Sequence, residues 1–259
     1  MRYSVIVRDN DESNKIANEI KKRIIGEEVK DNPEIVIAIG GDGTIIKATH
    51  IYPNAIIFGV HTGHLGFFAN YSRDNIDLLI NDINNNEYKV DKLDSLQAKF
   101  KNKNEDSIID FAINEFSILS PQRTLNIDVY IDDEYFERFR GTGFAVSTPY
   151  GSTAYNKSLG GGVVDTSLSI IQLTEIAGIN SNSYKTLSSP LVLSSDRIIK
   201  LEAKSENADV VITADNKAYM LSDFDYIEIK SMKNSIKMAY HKHESFLKRI
   251  NITFIISKE

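Results

Sequence analysis

Val36-Ile37-Ala38-Ile39 runs without a break into Gly40-Gly41-Asp42-Gly43-Thr44, and this stretch constrains the fold more than any other. Consecutive apolar residues, mostly β-branched, read as a buried strand. The glycines that follow permit backbone conformations closed to other residues and let a ligand approach the main chain. Ile45, Ile46, Ala48 and Thr49 then take helical spacing, so a helix is expected from Thr44, with its free N–H groups facing an anion. A carboxylate beside a phosphate repels it unless the carboxylate binds a metal or takes a proton from an attacking hydroxyl. The loop therefore points to phosphoryl transfer. The alternative is a Gly-Asp-Gly turn from strand to helix with no chemistry. Neither a Walker loop nor the dinucleotide fingerprint with spaced glycines is present.

Around this loop the element types alternate. Residues 3–7 read as a strand, and 13–25 as a helix with Ile16, Ile20 and Ile24 at four-residue spacing; 55–60 is a third strand. This βαβαβ order predicts a parallel sheet covered by helices. A further helix is expected over 74–83, ending at Asn84-Asn85-Asn86. From about Tyr88 the texture changes to short β-rich segments at 96–100, 107–120, 124–131, 144–147, 197–203, 208–213 and 226–230, which fits an antiparallel second domain. Asp132-Asp133 is a hairpin-turn candidate. A short amphipathic stretch is expected near 243–250.

With 259 residues, 42% of them hydrophobic, the chain can bury a sizeable core. Its net charge of −6 argues against a general nucleic-acid binder, which needs a clustered positive surface. The late cluster Lys237, His241, Lys242, His243, Lys248 and Arg249 reads as a solvated helix face. No cysteine occurs, which excludes disulfides and thiolate metal sites. No leader pattern and no membrane-length apolar run is visible, so a cytoplasmic protein without a membrane partner is expected.

A second constellation lies at 141–162, dense in glycine and hydroxyls. Ser147, Thr148, Ser152, Thr153, Tyr155, Asn156 and Ser158 can give and accept hydrogen bonds as ribose and purine edges require, and Tyr155 adds an aromatic face. A long turn capped by its own hydroxyls is the competing account. Upstream, Asn114-Glu115 interrupts an apolar strand. A carboxylate there implies a partner, and ionised Glu115 could accept from the two hydroxyls of a ribose. The bland reading makes it a strand-end residue.

Read together, Gly40-Gly41-Asp42-Gly43-Thr44, His61-Thr62-Gly63-His64-Leu65-Gly66-Phe67, Asn114-Glu115 and the block from Ser147-Thr148-Pro149 to Gly161 closely resemble the bacterial NAD kinases. Gln172-Leu173-Thr174-Glu175-Ile176-Ala177 and Ser189-Pro190-Leu191 fit the same pattern, so the resemblance covers nearly the whole chain. The Gly-Gly-Asp-Gly loop alone is shared with diacylglycerol-type lipid kinases. A lipid kinase and a non-catalytic NAD(P)-binding sensor are therefore the rival readings.

The resemblance implies a kinase that moves a phosphoryl group from ATP or polyphosphate to the 2′-hydroxyl of the adenosine ribose of NAD, assisted by a divalent metal such as Mg²⁺. It also implies an N-terminal Rossmann-like α/β domain over 1–88 and an antiparallel, β-rich dinucleotide-binding domain over 89–235. Segment 236–259 is expected to pack back on the first domain, and dimers to assemble into a homotetramer. By position, Asp42 matches the catalytic carboxylate and Gly43 a backbone contact beside it. Asn114 and Glu115 match dinucleotide contacts. Ser152, Thr153, Ala154, Tyr155, Asn156, Lys157 and Ser158 match the adenosine-facing loop, and Ala177 matches a contact from a neighbouring subunit. Phe67 and Phe68 stand where the family has aromatic residues beside the ligand. His61 and His64 are read as organising their loop or taking part in catalysis. Two positions depart from the pattern. Thr142, next but one to Arg140 in the same ligand-facing motif, replaces the usual Asp. Asn216 follows Asp215 where relatives often carry His.

Overall fold

The computed structural model describes residues 1–63, 65–102, 105–204, 209–222, 224–242 and 245–256, with backbone alone at 102 and 105–109. His64, Ala208 and His243, each part of an expectation above, lie outside the described residues. The chain forms two compact units, 1–93 with 234–259, and 94–233.

The first unit begins with β1 (Arg2–Val7), α1 (Asp11–Arg23), β2 (Glu27–Glu28), β3 (Ile35–Ile39), α2 (Asp42–Ile51) and β4 (Ile56–His61). β1, β3 and β4 pair in parallel, with Val5 opposite Ile37 and Ile37 opposite Phe58. All of β3 is buried, the pattern of a strand covered on both faces. α1 starts earlier than the apolar spacing suggested because Asn10 caps it, its side chain accepting from Ser13 N–H at 2.8 Å. Acidic residues in the first turn and basic ones in the last suit the helix dipole. After β5 (Tyr71–Ser72), α3 (Ile76–Asn85) ends where Asn86 turns left-handed at φ 57°. Ile20, Ile37, Ile39, Phe58, Val60, Leu79 and Ile83 pack into one core. Among the described residues no helix is long and apolar enough to cross a membrane.

The second unit is antiparallel. β6 (Lys89–Asn102) runs into it, followed by β7 (Glu105–Ala112), β8 (Glu115–Leu119), β9 (Leu125–Ile131), β10 (Glu134–Gly141) and β11 (Gly143–Ser147). Then come α4 (Tyr155–Ser158), β12 (Ile170–Ile176), β13 (Leu191–Ser194), β14 (Ile199–Ala203), β15 (Val210–Ala214), β16 (Lys217–Leu221) and β17 (Phe224–Tyr240). One sheet runs β13-β12-β11-β8-β15-β16, and β10, β9, β14 and β17 pair in a second. Phe116, Ile118, Phe144 and Val146 of the first share a core with Ile127, Phe139, Leu201 and Ile227 of the second. The β9–β10 hairpin turns at Asp132 and Asp133, with φ of 51° and 66°, as a type I′ turn requires.

Two local departures from the sequence pattern position the site. The single strand expected over 107–120 is broken at 113–114, where Asp215 takes both backbone N–H groups. β12 was hidden by its polar residues. Gln172 and Thr174 are buried there because Gln172 exchanges hydrogen bonds with Gly162 and Thr174 donates to Asn156.

The last part of β17 returns to the first unit and pairs in parallel with β4, Met238 opposite Ile57. α5 (Phe246–Ile250) and a π-helical turn, Asn251–Ile255, follow. Arg249 corrects the reading of this segment as a solvated basic face: it is only 6% exposed.

Candidate functional site

In the first unit, α2 begins at Asp42, two residues before the expected start, with Gly41 at its N-cap. No side chain caps this end, and the space where side chains at Gly41 and Gly43 would sit is open. The Asp42 and Gly43 amides are thus available to an anion, strengthened by the helix dipole, while the Thr44 N–H donates to the Gly41 carbonyl at 2.9 Å. The Asp42 carboxylate is held by the main chain of the following loop. Its Oδ2 accepts from Phe67 N–H at 2.8 Å and its Oδ1 from Phe68 N–H at 3.1 Å. Gly66 makes this possible, since a Cβ there would lie 2.2 Å from Asp42 Oδ1. His61 donates from Nδ1 to the Gly63 carbonyl at 3.1 Å, which favours its loop-organising role. Phe68 is buried, whereas Phe67 is partly exposed and stacks on Phe254.

In the second unit, three chain segments are knitted around Asn114 and Glu115. Asp215, left-handed at φ 51°, accepts from Ile113 N–H at 2.9 Å and Asn114 N–H at 2.7 Å. Thr148 donates its hydroxyl to the Ile113 carbonyl at 2.6 Å and its N–H to the Asn114 carbonyl at 2.9 Å. Gly151 passes so close that a Cβ would lie 2.1 Å from the Asn114 carbonyl oxygen.

The side chains this framework presents are unsatisfied. Asn114 Oδ1, Glu115 Oε2 and Ser147 Oγ are buried without a hydrogen-bond partner. Glu115 is 8% exposed, and its pKa is pushed up to about 8. Burial is the larger cause and the charge of Asp215 the smaller, with a hydrogen bond from the Tyr155 backbone pulling the other way. At neutral pH the carboxyl therefore holds its proton, where the sequence reading took it as ionised. Such a group, desolvated and short of partners, is costly to the fold and suited to a ligand that completes it.

The hydroxyl-rich loop divides into two sets. Ser152 is fully buried and donates to the Pro149 carbonyl at 2.6 Å; Thr153 donates to the Tyr150 carbonyl at 3.1 Å. Asn156, also fully buried, accepts from Thr174 at 2.7 Å while its Nδ2 lacks a partner. Ser152 and Thr153 serve the turn itself, whereas Asn156 is tied to β12 and keeps an unmet donor. Tyr155, Lys157 and Ser158 are exposed and Ala154 partly so.

Thr142 and Ala177 share a cavity of about 380 Å³ with Ser120, Gln122, Arg123 and Ile179. Ala177 sits left-handed at φ 49°, a strained state for a residue with a side chain. Arg140 stacks its guanidinium 3.9 Å above the Tyr184 ring. Asn216 is exposed in the β15–β16 turn. Gln122, Arg123 and Tyr184 carried no motif in the sequence; only their neighbours in space mark them. Nearby, Glu137 is pushed up to about 7 by burial and by the charge of Glu175. These two carboxyls accept the adjacent amides of Leu187 and Ser188.

The chain matches the family model described as the ATP-NAD kinase N-terminal domain over residues 2–88, and that of the ATP-NAD kinase C-terminal domain over 114–240. It is 36% identical over 266 residues to the NAD kinase of Latilactobacillus sakei, covering all of this chain and 99% of that protein. It is 37% identical over 270 residues to the NAD kinase of Staphylococcus aureus, with the same coverage. Among solved structures, yeast NADH kinase complexed with NADH superposes with a TM-score of 0.85 at 19% identity, over 100% of this chain and 89% of that one. An NAD kinase from Archaeoglobus fulgidus in complex with ATP gives 0.73 at 24% identity, over 98% and 97%. At those identities the two structures speak for the fold.

Proposed function

This chain belongs to the NAD kinase family, and from that premise we propose how its own residues move a phosphoryl group from ATP to NAD to give NADP. Asp42 accepts the proton of the ribose 2′-hydroxyl as that oxygen forms its bond to the γ-phosphorus; the bond from phosphorus to the β,γ-bridging oxygen breaks, and ADP leaves with the electron pair. The observation that carries this role is the Asp42 carboxylate, held by two backbone amides beside an uncapped helix start. An ordinary carboxylate is a weak base for an alcohol, so positioning and charge neutralisation supply most of the acceleration.

Asn114 and Glu115 hold the dinucleotide, a role supported by their buried, unpartnered oxygens. Tyr155, Lys157 and Ser158 face the adenosine, over a turn braced by Ser152, Thr153 and Asn156. Among the described residues no group of three His, Cys, Asp or Glu could hold a metal ion. A single carboxylate, Asp42, with an open glycine loop fits Mg²⁺ that arrives on the triphosphate, as this ion commonly does. Bound there, Mg²⁺ would neutralise phosphate charge. Inorganic polyphosphate presents the same linked phosphates and is a second donor in this reading. We extend the reading to a cytoplasmic homotetramer, a dimer of dimers, in which Ala177 completes a neighbour's site. The exposure and strained backbone of Ala177 support this, and sedimentation velocity tests it.

A coupled assay of NADP formation tests the central role. Asp42→Asn keeps the shape of the side chain and loses the proton acceptor, so kcat should fall about 10²- to 10⁴-fold. NAD binding should stay within about three-fold, because the contacts that hold the dinucleotide are elsewhere. Wild-type turnover by this variant would remove Asp42 from the role.

A further inference from the structure

Arg249 is a buried guanidinium that donates to main-chain carbonyls and to a side-chain amide. Nη1 donates to the carbonyls of Gly66 at 2.7 Å, Phe67 at 3.3 Å and Ala69 at 2.9 Å. Nη2 donates to Asn70 Oδ1 at 2.5 Å, and Asn70 in turn donates to the Ala239 carbonyl at 3.3 Å. The planar fork of five N–H donors suits such a span, which a lysine ammonium cannot reproduce.

The carbonyls it takes matter. A trans peptide is planar, with its C=O and N–H pointing in opposite directions. The Gly66 carbonyl and the Phe67 N–H belong to one such plane; the Phe67 carbonyl and the Phe68 N–H belong to the next. Arg249 binds the oxygen of each plane, and Asp42 accepts from the nitrogen of each. Two peptide units thus run from the guanidinium to the carboxylate, their dipoles aligned positive charge to carbonyl and N–H to negative charge. Turning either plane would lose a bond at both ends. The Phe67–Phe254 stack, with ring centroids 5.9 Å apart, adds a second tie from the same C-terminal segment.

We infer that Arg249 is a positioning residue for phosphoryl transfer: through the peptide planes after Gly66 and Phe67 it fixes where the Asp42 carboxylate points. The inference rests on the role of Asp42 proposed above. It separates Arg249 from a residue that only stabilises the fold, because its loss acts on turnover in protein that is still folded.

The test compares Arg249→Gln, Arg249→Lys, Asp42→Asn and the control Leu247→Ser in full-length protein. Leu247 lies on the same short helix and is 74% exposed. Each variant is measured for kcat, for KM with NAD and ATP, and for its thermal midpoint. The expected result is a kcat for Arg249→Gln about 10- to 100-fold below wild type, since a small misplacement of a reacting group costs that much. Both KM values should stay within about three-fold, and Leu247→Ser should match wild type. Arg249→Lys keeps the charge without the fork and should fall between the two, which also decides the matter if the Gln variant does not fold. Unchanged kcat in folded Arg249→Gln or Arg249→Lys, a rise in KM alone, or a loss accounted for by the unfolded fraction would overturn the inference. Asp42→Asn keeps the two ideas apart. If it is inactive while the Arg249 variants turn over normally, the base stands and the positioning role falls; if it is active, the base itself has failed.

Discussion

Asp42 and Glu115 are both carboxylic acids at the edge of an apolar strand, yet the fold treats them in opposite ways. Both Asp42 oxygens accept a backbone amide, and those amides are fixed in turn by Arg249. Glu115 has one backbone partner, an oxygen with none, and the charge of Asp215 beside it. The first is a group set in place before any ligand arrives. The second carries an unmet demand, which burial makes expensive. The difference is what a split between chemistry and recognition requires: a reacting group needs fixed geometry, and a binding group gains most when the ligand supplies its missing partner.

Breaking the fixed side should give the largest effect. Gly66→Ala puts a Cβ against the Asp42 carboxylate, so the loop or the side chain must move. Turnover should drop on the order of 100-fold, the scale of a misplaced catalytic group, with NAD affinity nearly unchanged. Full steady-state kinetics would show this; a variant with raised KM and normal kcat would mean that the approach of Gly66 to Asp42 does not govern the chemistry.

On the demanding side, Glu115→Gln should act on affinity instead. Measured above about pH 8, where the carboxyl is ionised, losing this charge-assisted acceptor costs about 1.5–3 kcal/mol, roughly 10- to 100-fold in Kd. Calorimetric titration with NAD measures it, and equal affinity in the two proteins would return Glu115 to a purely structural place. The pH dependence sharpens the contrast. Ribose hydroxyls that donate to the carboxylate favour its ionised form, so NAD binding between about pH 7 and 8 should release protons from Glu115, seen as a binding enthalpy that varies with buffer ionisation. Glu115→Gln should abolish that dependence.

Stability should follow the same group. The folded pKa, about 8, lies above the unfolded value near 4.5, so the native state keeps a proton that the unfolded chain has lost. Its contribution is most favourable below the unfolded pKa and is lost as pH rises through the interval to the folded one. Thermal midpoints of wild type should fall relative to Glu115→Gln over that range. Parallel curves would count against the buried, proton-holding state.

The smallest expected change is at Thr142. Thr142→Asp adds a carboxylate to the cavity that also contains Arg123, which can offset the charge. A few-fold gain in apparent NAD affinity is expected, at the scale of a partly exposed charge-assisted contact. Unchanged or weaker affinity would show that this cavity does not meet the dinucleotide as a weakened copy of the family contact.

Local chemistry was legible in the sequence wherever it depends on neighbours along the chain. The run from Val36 to Thr44 specified strand, loop and helix, because buried β-branched residues, glycines and helical spacing act within a few residues of one another. Asp132-Asp133 specified its turn for the same reason. The motifs also named the loop carrying Asp42, the Asn114-Glu115 pair and the hydroxyl-rich segment. What each side chain does depended on partners far along the chain. Ser152 and Asn156 read as ligand contacts by type, and that their oxygens are tied to Val164 and Thr174 is visible only in the fold. Glu115 is an ordinary acid until burial and Asp215, 100 residues away, raise its pKa. Arg249 reads as one more basic residue on a helix; tertiary folding alone buries it against the 66–70 segment and aims two peptide planes at Asp42. Sequence fixes propensity and residue type over short distances, whereas desolvation and hydrogen-bond partnership are properties of a packed interior and exist only once distant segments have met.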